Sequence, residues 1–179
     1  MVQPRQTRVG QDGFEVHLLA GGSPQHEDAE RELLDRGVPL PLPHRAVWAR
    51  FCPADALWFV LVRDPQGLAA GGFTLEVSRS RVLPGHLTLS SERFGDSLPP
   101  AVVAPALRAL ADVMRRDRRI LRLDIEVFSP DGERRRALGE ALAGAGLRPA
   151  PLTRSYAETL TSDLLLSDAE HLAALSVNT

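Results

Sequence analysis

Two carboxylates lie two residues apart in the segment ILRLDIEVF, where they could act as acid–base groups. Apolar side chains alternate there with Arg122, Asp124, Glu126 and Phe128, which is the two-residue period of a β-strand. A carboxylate in a partly buried cleft can serve as a general base or hold an incoming amine. Asp124 and Glu126 are therefore candidate catalytic residues. In the structural alternative they lie at the splayed end of a sheet, where Arg122 neutralises its neighbours.

The segment SSERFG offers a second pair of charged side chains, at the end of another predicted strand. The planar guanidinium of Arg93 can bind a phosphate through two parallel hydrogen bonds, for instance in a nucleotide-linked sugar. Glu92 lies beside it in the sequence. Both are candidate substrate-binding residues, and their alternative role is a surface ion pair.

Three further residues are candidates for contact with a substrate. His44 and Trp48 lie in HRAVWARF, and Tyr156 follows Arg154 near the C-terminal end. Each also has an ordinary alternative role: a solvated loop residue for His44, core packing for Trp48 and a half-buried side chain for Tyr156. The sequence leaves both roles open for each of them.

The composition excludes several kinds of chemistry. All 21 basic residues are arginine, so neither a Schiff-base lysine nor a P-loop lysine is present. The single cysteine, Cys52, forms no internal disulfide and is interpreted as a half-buried structural residue. The five histidines lack metal-ligand spacing, and we predict no metal site. A net charge of -2 gives no overall reason to expect nucleic acid or an anionic membrane as partner.

Arginines cluster in MRRDRRILR, at a predicted helix end, and in ERRR, at a predicted helix start. Cations near a helix C-terminus favour the helix dipole, which accounts for the first cluster. Arg134, Arg135 and Arg136 lack that reason and could bind an RNA backbone. No aromatic residues are interleaved with them, so RNA binding is the weaker interpretation.

Turn residues divide the chain into the elements that must position these side chains. The predicted order is β-α-α-β-β-β-α-β-α-β, a mixed α/β sheet of about six to seven strands with helices on both faces. Residues 1–12 are predicted to be disordered. Residues 13–166 are predicted to form a single domain, and residues 167–179 a short C-terminal helix that is the start of a missing second half.

Capping residues mark the first and last predicted helices. Ser23 as N-cap, Pro24 in the first turn and Gly37 just past the end delimit the first one. Ser167 and Glu170 form a capping box that opens the last one. A helix this short is marginal alone, so we expect it to fold back on its own sheet or to pair with another chain, as in a homodimer.

The element order resembles that of the GNAT acyltransferase fold. The succession of VPLPLPHRAVWARF, the hairpin, RVLPGHLTLSSERFG, RLDIEVFSPDGERRRALGEALAGAGLRPAP and RSYAETLTSDLLLSDAEHLAAL further resembles the first half of Fem-type proteins. Those are tandem GNAT-like proteins that add amino acids from aminoacyl-tRNA to peptidoglycan precursors. The resemblance covers roughly residues 38 to 175.

The chain departs from acetyl-CoA-using GNAT enzymes in two places. Such enzymes carry an R/Q-x-x-G-x-G/A loop whose amides, with the following helix N-terminus, hold the pyrophosphate. The matching segment SSERFGDSLPPAVVAP has Arg93 and Gly95, but its two prolines remove N–H donors. The helix after DIEVFSP also lacks the tyrosine that many GNAT enzymes use to protonate the leaving thiolate. The Fem resemblance implies an aminoacyl-tRNA donor in place of acetyl-CoA or another acyl-CoA.

Two functions are open at this stage. The first is an acyl- or aminoacyltransferase that moves an acyl group onto the amine of a small molecule, such as a peptidoglycan precursor, with tRNA as a further partner. The second is a non-catalytic GNAT-like domain that binds a substrate or partner while the catalytic half is absent. The sequence contains neither a signal peptide nor a run of about 18 apolar residues, which favours a cytoplasmic location without a membrane span.

Overall fold

The computed structural model of the protein describes residues 9–11, 13–52, 54–95, 98–129 and 131–150. Strands in these ranges are β1 (Val9–Gln11), β2 (Phe14–Ala20), β3 (Ala56–Arg63), β4 (Ala69–Arg79), β5 (Leu87–Phe94) and β6 (Ile120–Val127). The α-helices are α1 (Pro24–Asp35), α2 (Pro100–Arg116) and α3 (Gly132–Gly144). Two 3₁₀ helices, Leu42–His44 and Ala46–Arg50, lie between α1 and β3. No helix in the described ranges is long and apolar enough to cross a membrane.

The strands form one sheet whose spatial order follows the chain. Neighbours from β1 to β5 are antiparallel, whereas β5 and β6 are parallel. A parallel pair needs a crossover connection, and α2 supplies it. The predicted mixed α/β sheet is thus confirmed up to α3, with two differences in the element order: β1 precedes the first predicted strand, and two 3₁₀ helices take the place of the second predicted helix. The predicted final strands and C-terminal helix lie outside the described residues.

Strand β1 lies in the segment for which the sequence predicts disorder. Its residues pair with β2, from Val9 opposite Val16 to Gln11 opposite Phe14, so the expected disorder is wrong for residues 9–11. Three residues are too few to show a period in the sequence. Their strand conformation is stabilised by backbone hydrogen bonds to the edge of β2.

The sheet is covered by helices on both faces, as predicted. One face packs against α2 and α3 in a large core that includes Trp58, Phe73 and Leu110, each 3% exposed or less. On the other face, α1 contributes Ala29 and Leu33 to a smaller core over β3. The sheet therefore has an apolar layer on each side of its central strands.

The face that packs against α1 changes from apolar to polar along the sheet. On β3 it is apolar, with Phe59 and Leu61 in the smaller core. On β4, β5 and β6 polar side chains alternate with residues of the large core, because successive side chains of a strand point to opposite faces. The polar residues of this face are Thr74, Glu76, Ser78, Thr88, Ser90, Arg122, Asp124 and Glu126. The candidate catalytic carboxylates thus lie on the face opposite α2 and α3.

Candidate functional site

A β-bulge in β5 determines the positions of two predicted site residues, Glu92 and Arg93. The pairing of β5 with β6 is irregular between Ser91 and Phe94, so that Glu92 and Arg93 together oppose Glu126. Arg93 has a φ of 52°, and no other non-glycine residue in the described ranges has a positive φ. An extra residue of this kind bends a strand and redirects its side chains. The bulge therefore sets the directions of Glu92 and Arg93.

Three glutamates from three strands meet at the bulge: Glu76 of β4, Glu92 of β5 and Glu126 of β6. We call them the acidic cluster. Partial removal from water raises the pKa of Glu92, and the negative charges of Glu76 and Glu126 raise it further. Glu92 is nevertheless exposed at the surface. It combines access from solvent with increased proton affinity, the properties that a general base needs.

Cys52 lies against the acidic cluster as a hydrogen-bond donor. Its Sγ lies 3.4 Å from Oε1 of Glu76. Partial burial raises the pKa of this thiol to about 11, and the charges of Glu76 and Glu92 act in the same direction. The thiol is therefore protonated at neutral pH, which agrees with the structural role predicted for Cys52.

The structure separates the two predicted catalytic carboxylates. Asp124 accepts a hydrogen bond from Nε of Arg122 at 2.7 Å, in an ion pair that is partly exposed. This ion pair agrees with the alternative role, in which Arg122 neutralises the neighbouring carboxylate. Glu126 forms no ion pair with any described residue, and its charge acts on Glu92. Of the two, Glu126 belongs to the acidic cluster.

The guanidinium of Arg93 is stacked on an aromatic ring. Its Cζ lies 4.3 Å from the ring centroid of Phe128. A cation–π contact of this kind contributes about 0.5–1 kcal/mol at an exposed site. It anchors the side chain of the strained residue next to the end of β6. The predicted contact of Arg93 with a phosphate stays a prediction.

His44 is fully buried, which corrects both its predicted place in a solvated loop and its predicted direct contact with a substrate. It ends the first 3₁₀ helix with an exposed fraction of 0%. The backbone N–H of Thr74 donates to its Nδ1 at 3.2 Å, and its Nε2 lies 3.4 Å from the carbonyl oxygen of Arg93. The prolines before it prevent regular structure, and the irregular segment directs the ring into the protein.

Trp48 and Tyr156 stay predictions as substrate-binding residues. Trp48 lies in the second 3₁₀ helix and is half-buried. Its buried Nε1 has no hydrogen-bond partner in the described part of the chain, and Trp48 is not a member of either of the two described cores. Tyr156, like Arg154, lies outside the described residues.

The ERRR segment makes internal contacts. Arg134 donates to the carbonyl oxygens of Gly95 at 2.5 Å and Leu98 at 2.9 Å, and Arg135 donates to that of Ser129 at 2.6 Å. The bonds of Arg134 tie α3 to the connection between β5 and α2, and the bond of Arg135 ties it to the segment between β6 and α3. They give Arg134 and Arg135 a structural role, so the RNA-binding interpretation loses its main support.

The N-terminus of α2 has few donors for a pyrophosphate. Pro99 is the N-cap residue, Pro100 is the first helical residue, and no side chain caps the helix. The N–H of Val102 already donates to the carbonyl oxygen of Pro99 at 2.9 Å. Carbonyl oxygens just before the prolines are bound by Arg134. The described residues therefore offer few N–H donors to a pyrophosphate at this helix N-terminus, and whether the chain binds acetyl-CoA stays a prediction.

The sequence analysis did not identify Glu76 of the acidic cluster or His26, which contacts the backbone of His44. Glu76 is a charged residue within the apolar run GGFTLEV, and this interruption is the signal that could have identified it. His26 gives no comparable signal, because the group that it contacts, the carbonyl of His44, lies 18 residues along the chain.

No protein-family model matches the chain, and no curated protein matches it. Among solved structures, the chain is similar to the crystal structure of glucosamine-6-phosphate N-acetyltransferase from Arabidopsis thaliana. The TM-score is 0.49 and the sequence identity 9%, with 81% of this chain and 99% of that chain covered. A similarity of this size carries no argument about the activity, ligands or residues of the present chain.

Replacing Gly95 by alanine is expected to destabilise the protein where β5 leads towards α2. Gly95 has a φ of 94°, and an added Cβ would overlap the side chain of Leu138. We expect the free energy of unfolding, measured by urea denaturation, to fall by about 1–3 kcal/mol. Gly139→Ala in α3 is the matched control, because nothing lies within 4 Å of its added Cβ. Alanine there is expected to stabilise by roughly 0.5–1 kcal/mol, and equal effects of the two variants would contradict this explanation.

Proposed function

We propose that this chain is a GNAT-like acyl- or aminoacyltransferase domain that transfers an acyl group to an amine. The observation that carries the proposal is the acidic cluster at the β5 bulge, where the pKa of Glu92 is raised beside Glu76 and Glu126. A fold by itself does not imply an activity. The proposal therefore depends on this site, and the GNAT-like order of the elements agrees with it.

The acidic cluster suits an amine acceptor at two stages. A protonated amine is attracted by the three negative charges. To attack an acyl carbon the amine must lose a proton, and Glu92 accepts it. The nitrogen then forms a bond to the acyl carbon, and the bond between that carbon and the leaving atom of the donor breaks. The proton on Glu92 passes to the leaving group, and the new amide nitrogen releases its second proton to solvent. In this scheme Glu126 holds the amine.

The finer form of the proposal follows the Fem resemblance. The acceptor is then a peptidoglycan precursor, and the donor is an aminoacyl-tRNA. Arg93 would bind a phosphate of the nucleotide-linked sugar, and Trp48 and Tyr156 would contact the acceptor. The prolines at the start of α2 support a donor other than acetyl-CoA bound at this helix N-terminus.

Thermal shift on the full chain tests the proposal. A UDP-linked peptidoglycan precursor at 100 times its Kd stabilises a protein by about 2.7 kcal/mol, so we expect Tm to rise by roughly 5–10 °C. Acetyl-CoA is the matched second ligand and is expected to leave Tm unchanged. Stabilisation by acetyl-CoA alone would contradict the Fem-type form. No stabilisation by either ligand would contradict the transferase proposal.

A non-catalytic binding domain is the second candidate function. It is favoured by the start of α2, where Pro99 and Pro100 lack the backbone N–H groups that an acyl donor carrying a pyrophosphate would need. In that case the acidic cluster binds a cationic partner and the chemistry belongs to another domain. Binding of an amine-bearing ligand without acyl transfer, under any donor tested, is the result that distinguishes this candidate from the first.

A further inference from the structure

We propose that His44 is a positioning residue that fixes the Glu92–Arg93 bulge through the carbonyl group of Arg93. The ring of His44 is fully buried and does not reach a substrate. It acts on the acidic cluster through the backbone of the residue that follows Glu92. This inference rests on the proposed function for its activity readout only, since its other readouts need no substrate.

The surroundings of His44 favour one of its two neutral tautomers. Nδ1 lies 3.2 Å from the backbone N–H of Thr74, which can only donate, and 3.0 Å from the hydroxyl oxygen of the same residue, which can donate or accept. The N–H donor makes Nδ1 the acceptor. A neutral imidazole then carries its proton on Nε2. Nε2 lies 3.4 Å from the carbonyl oxygen of Arg93, to which it donates. That bond is long, but without it a fully buried donor would lose this partner, at a cost of about 1–3 kcal/mol.

His44 is itself held by a second buried histidine, His26. Nε2 of His26 donates to the carbonyl oxygen of His44 at 3.1 Å, while the N–H of Gly22 donates to Nδ1 of His26 at 3.2 Å. The His26 ring also stacks on Phe59, with ring centroids 4.0 Å apart and an angle of 19° between the planes. The two histidines therefore connect the start of α1 to the bulge in β5.

The bulge needs such an anchor because Arg93 has an unfavourable backbone conformation. A non-glycine residue with a φ of 52° costs on the order of 1–3 kcal/mol and persists only where the surroundings hold it. Among the contacts of Arg93 are His44 at its carbonyl oxygen and Phe128 at its guanidinium. Glu92 is the preceding residue, so its carboxylate moves with the bulge if the anchor is lost.

Two substitutions at the same position separate the contact of Nε2 from the contacts of Nδ1. In His44→Gln the amide nitrogen can still donate to the carbonyl oxygen of Arg93. In His44→Asn the side chain can accept from the N–H of Thr74 but is too short to reach Arg93. Both variants keep a polar group in the buried site, so a general loss of stability affects both, whereas loss of the bulge anchor affects the asparagine variant alone.

The readout is the titration of the Glu92 carboxyl carbon by NMR in the full chain. We expect the glutamine variant to titrate like the wild type and the asparagine variant to titrate closer to an ordinary glutamate, because Glu92 leaves the acidic cluster. If acyl transfer is established, we also expect kcat to fall by about tenfold to a hundredfold in the asparagine variant, with KM little changed. Glutamine is expected to restore it.

Several outcomes would overturn the assignment of His44. One is an asparagine variant whose Glu92 titrates as in the wild type, and another is an equal change in both variants, which would be a general effect of removing the buried ring. Should neither variant fold, nitrogen-15 NMR of the wild-type ring decides: a proton on Nε2 supports the assignment and a proton on Nδ1 overturns it. Absence of transferase activity in the wild type contradicts the proposed function and leaves the Glu92 titration intact as a test of His44.

Discussion

Glutamine in place of Glu92 is expected to reduce acyl transfer by about a hundredfold or more, since general acid–base catalysis contributes on the order of 10²–10⁴-fold. The substitution keeps the size of the side chain and its ability to accept a hydrogen bond, but the amide cannot take a proton from the amine. Burial and two neighbouring carboxylates raise the pKa of Glu92. The measurement is kcat for acylation of the amine identified by thermal shift.

Asp124→Asn is the matched control for this loss. Asp124 lies on the same face of the sheet but is already neutralised by Arg122, and an exposed ion pair is worth about 0–1 kcal/mol. We therefore expect kcat to change by less than about fivefold. Equal losses in the two variants would contradict the assignment of Glu92 as the proton acceptor.

The thiol of Cys52 reports on the acidic cluster without any substrate. Its pKa is raised to about 11 by partial burial and by the nearby charges of Glu76 and Glu92. Removing one charge with Glu92→Gln is expected to lower the pKa of the thiol, measured as the pH dependence of its reaction with a thiol reagent. Cys52 is the only cysteine of the chain, so the signal is unambiguous. An unchanged thiol pKa would mean that Glu92 does not lie in the cluster.

Stability is expected to fall by about 3 kcal/mol as the pH is lowered from 7 to below 4, because His26 is buried as a neutral ring. Burial lowers the pKa of His26 from 6.5 to about 4. Between these two values the unfolded chain binds a proton that the folded chain does not bind. The contribution of His26 to the free energy of unfolding is therefore fully present above pH 6.5, and it decreases as the pH falls towards 4. Urea denaturation at pH 7, 6, 5 and 4 measures it.

Other ionisable groups act in different pH ranges or with the opposite sign. Partial burial acts to raise the pKa of Glu30, but hydrogen bonds from Ala46 and Arg45 lower it overall, so its contribution is lost only below about pH 4.5. The pKa of Glu92 is raised, so protonation of Glu92 stabilises the folded state and partly offsets the effect of His26 at acidic pH. Between pH 6.5 and 5 the effect of His26 is therefore the easiest to resolve.

His26→Gln is the variant that tests this explanation. Glutamine does not titrate, so the decrease in stability between pH 6.5 and 5 is expected to become much smaller, while stability at pH 7 is lower because the stacking on Phe59 is lost. His86→Gln is the matched control, since His86 is not fully buried. An equally steep decrease in wild type and the His26 variant would contradict the role of His26.

Local features of this protein were determined by the sequence alone. Ser23 caps α1, with its Oγ accepting from the N–H of His26 at 3.3 Å, and Gly37 follows the helix with a φ of 74°. The alternation in ILRLDIEVF correctly placed Asp124 and Glu126 on one face of β6. Such features are predictable because caps, turns and strand periods depend on contacts within about four residues.

The meeting of distant residues was decided by the tertiary structure. Glu76, Glu92 and Glu126 come from three strands and meet only because of the register between those strands and the bulge in β5. His44 looked like a loop residue because its partners, Thr74 and the carbonyl of Arg93, lie 30 and 49 residues away. Burial of a polar ring is favourable only when such partners are in place. No local sequence pattern indicates that these distant partners will lie beside His44. The sequence therefore shows the residue types, and the fold determines which of them act together.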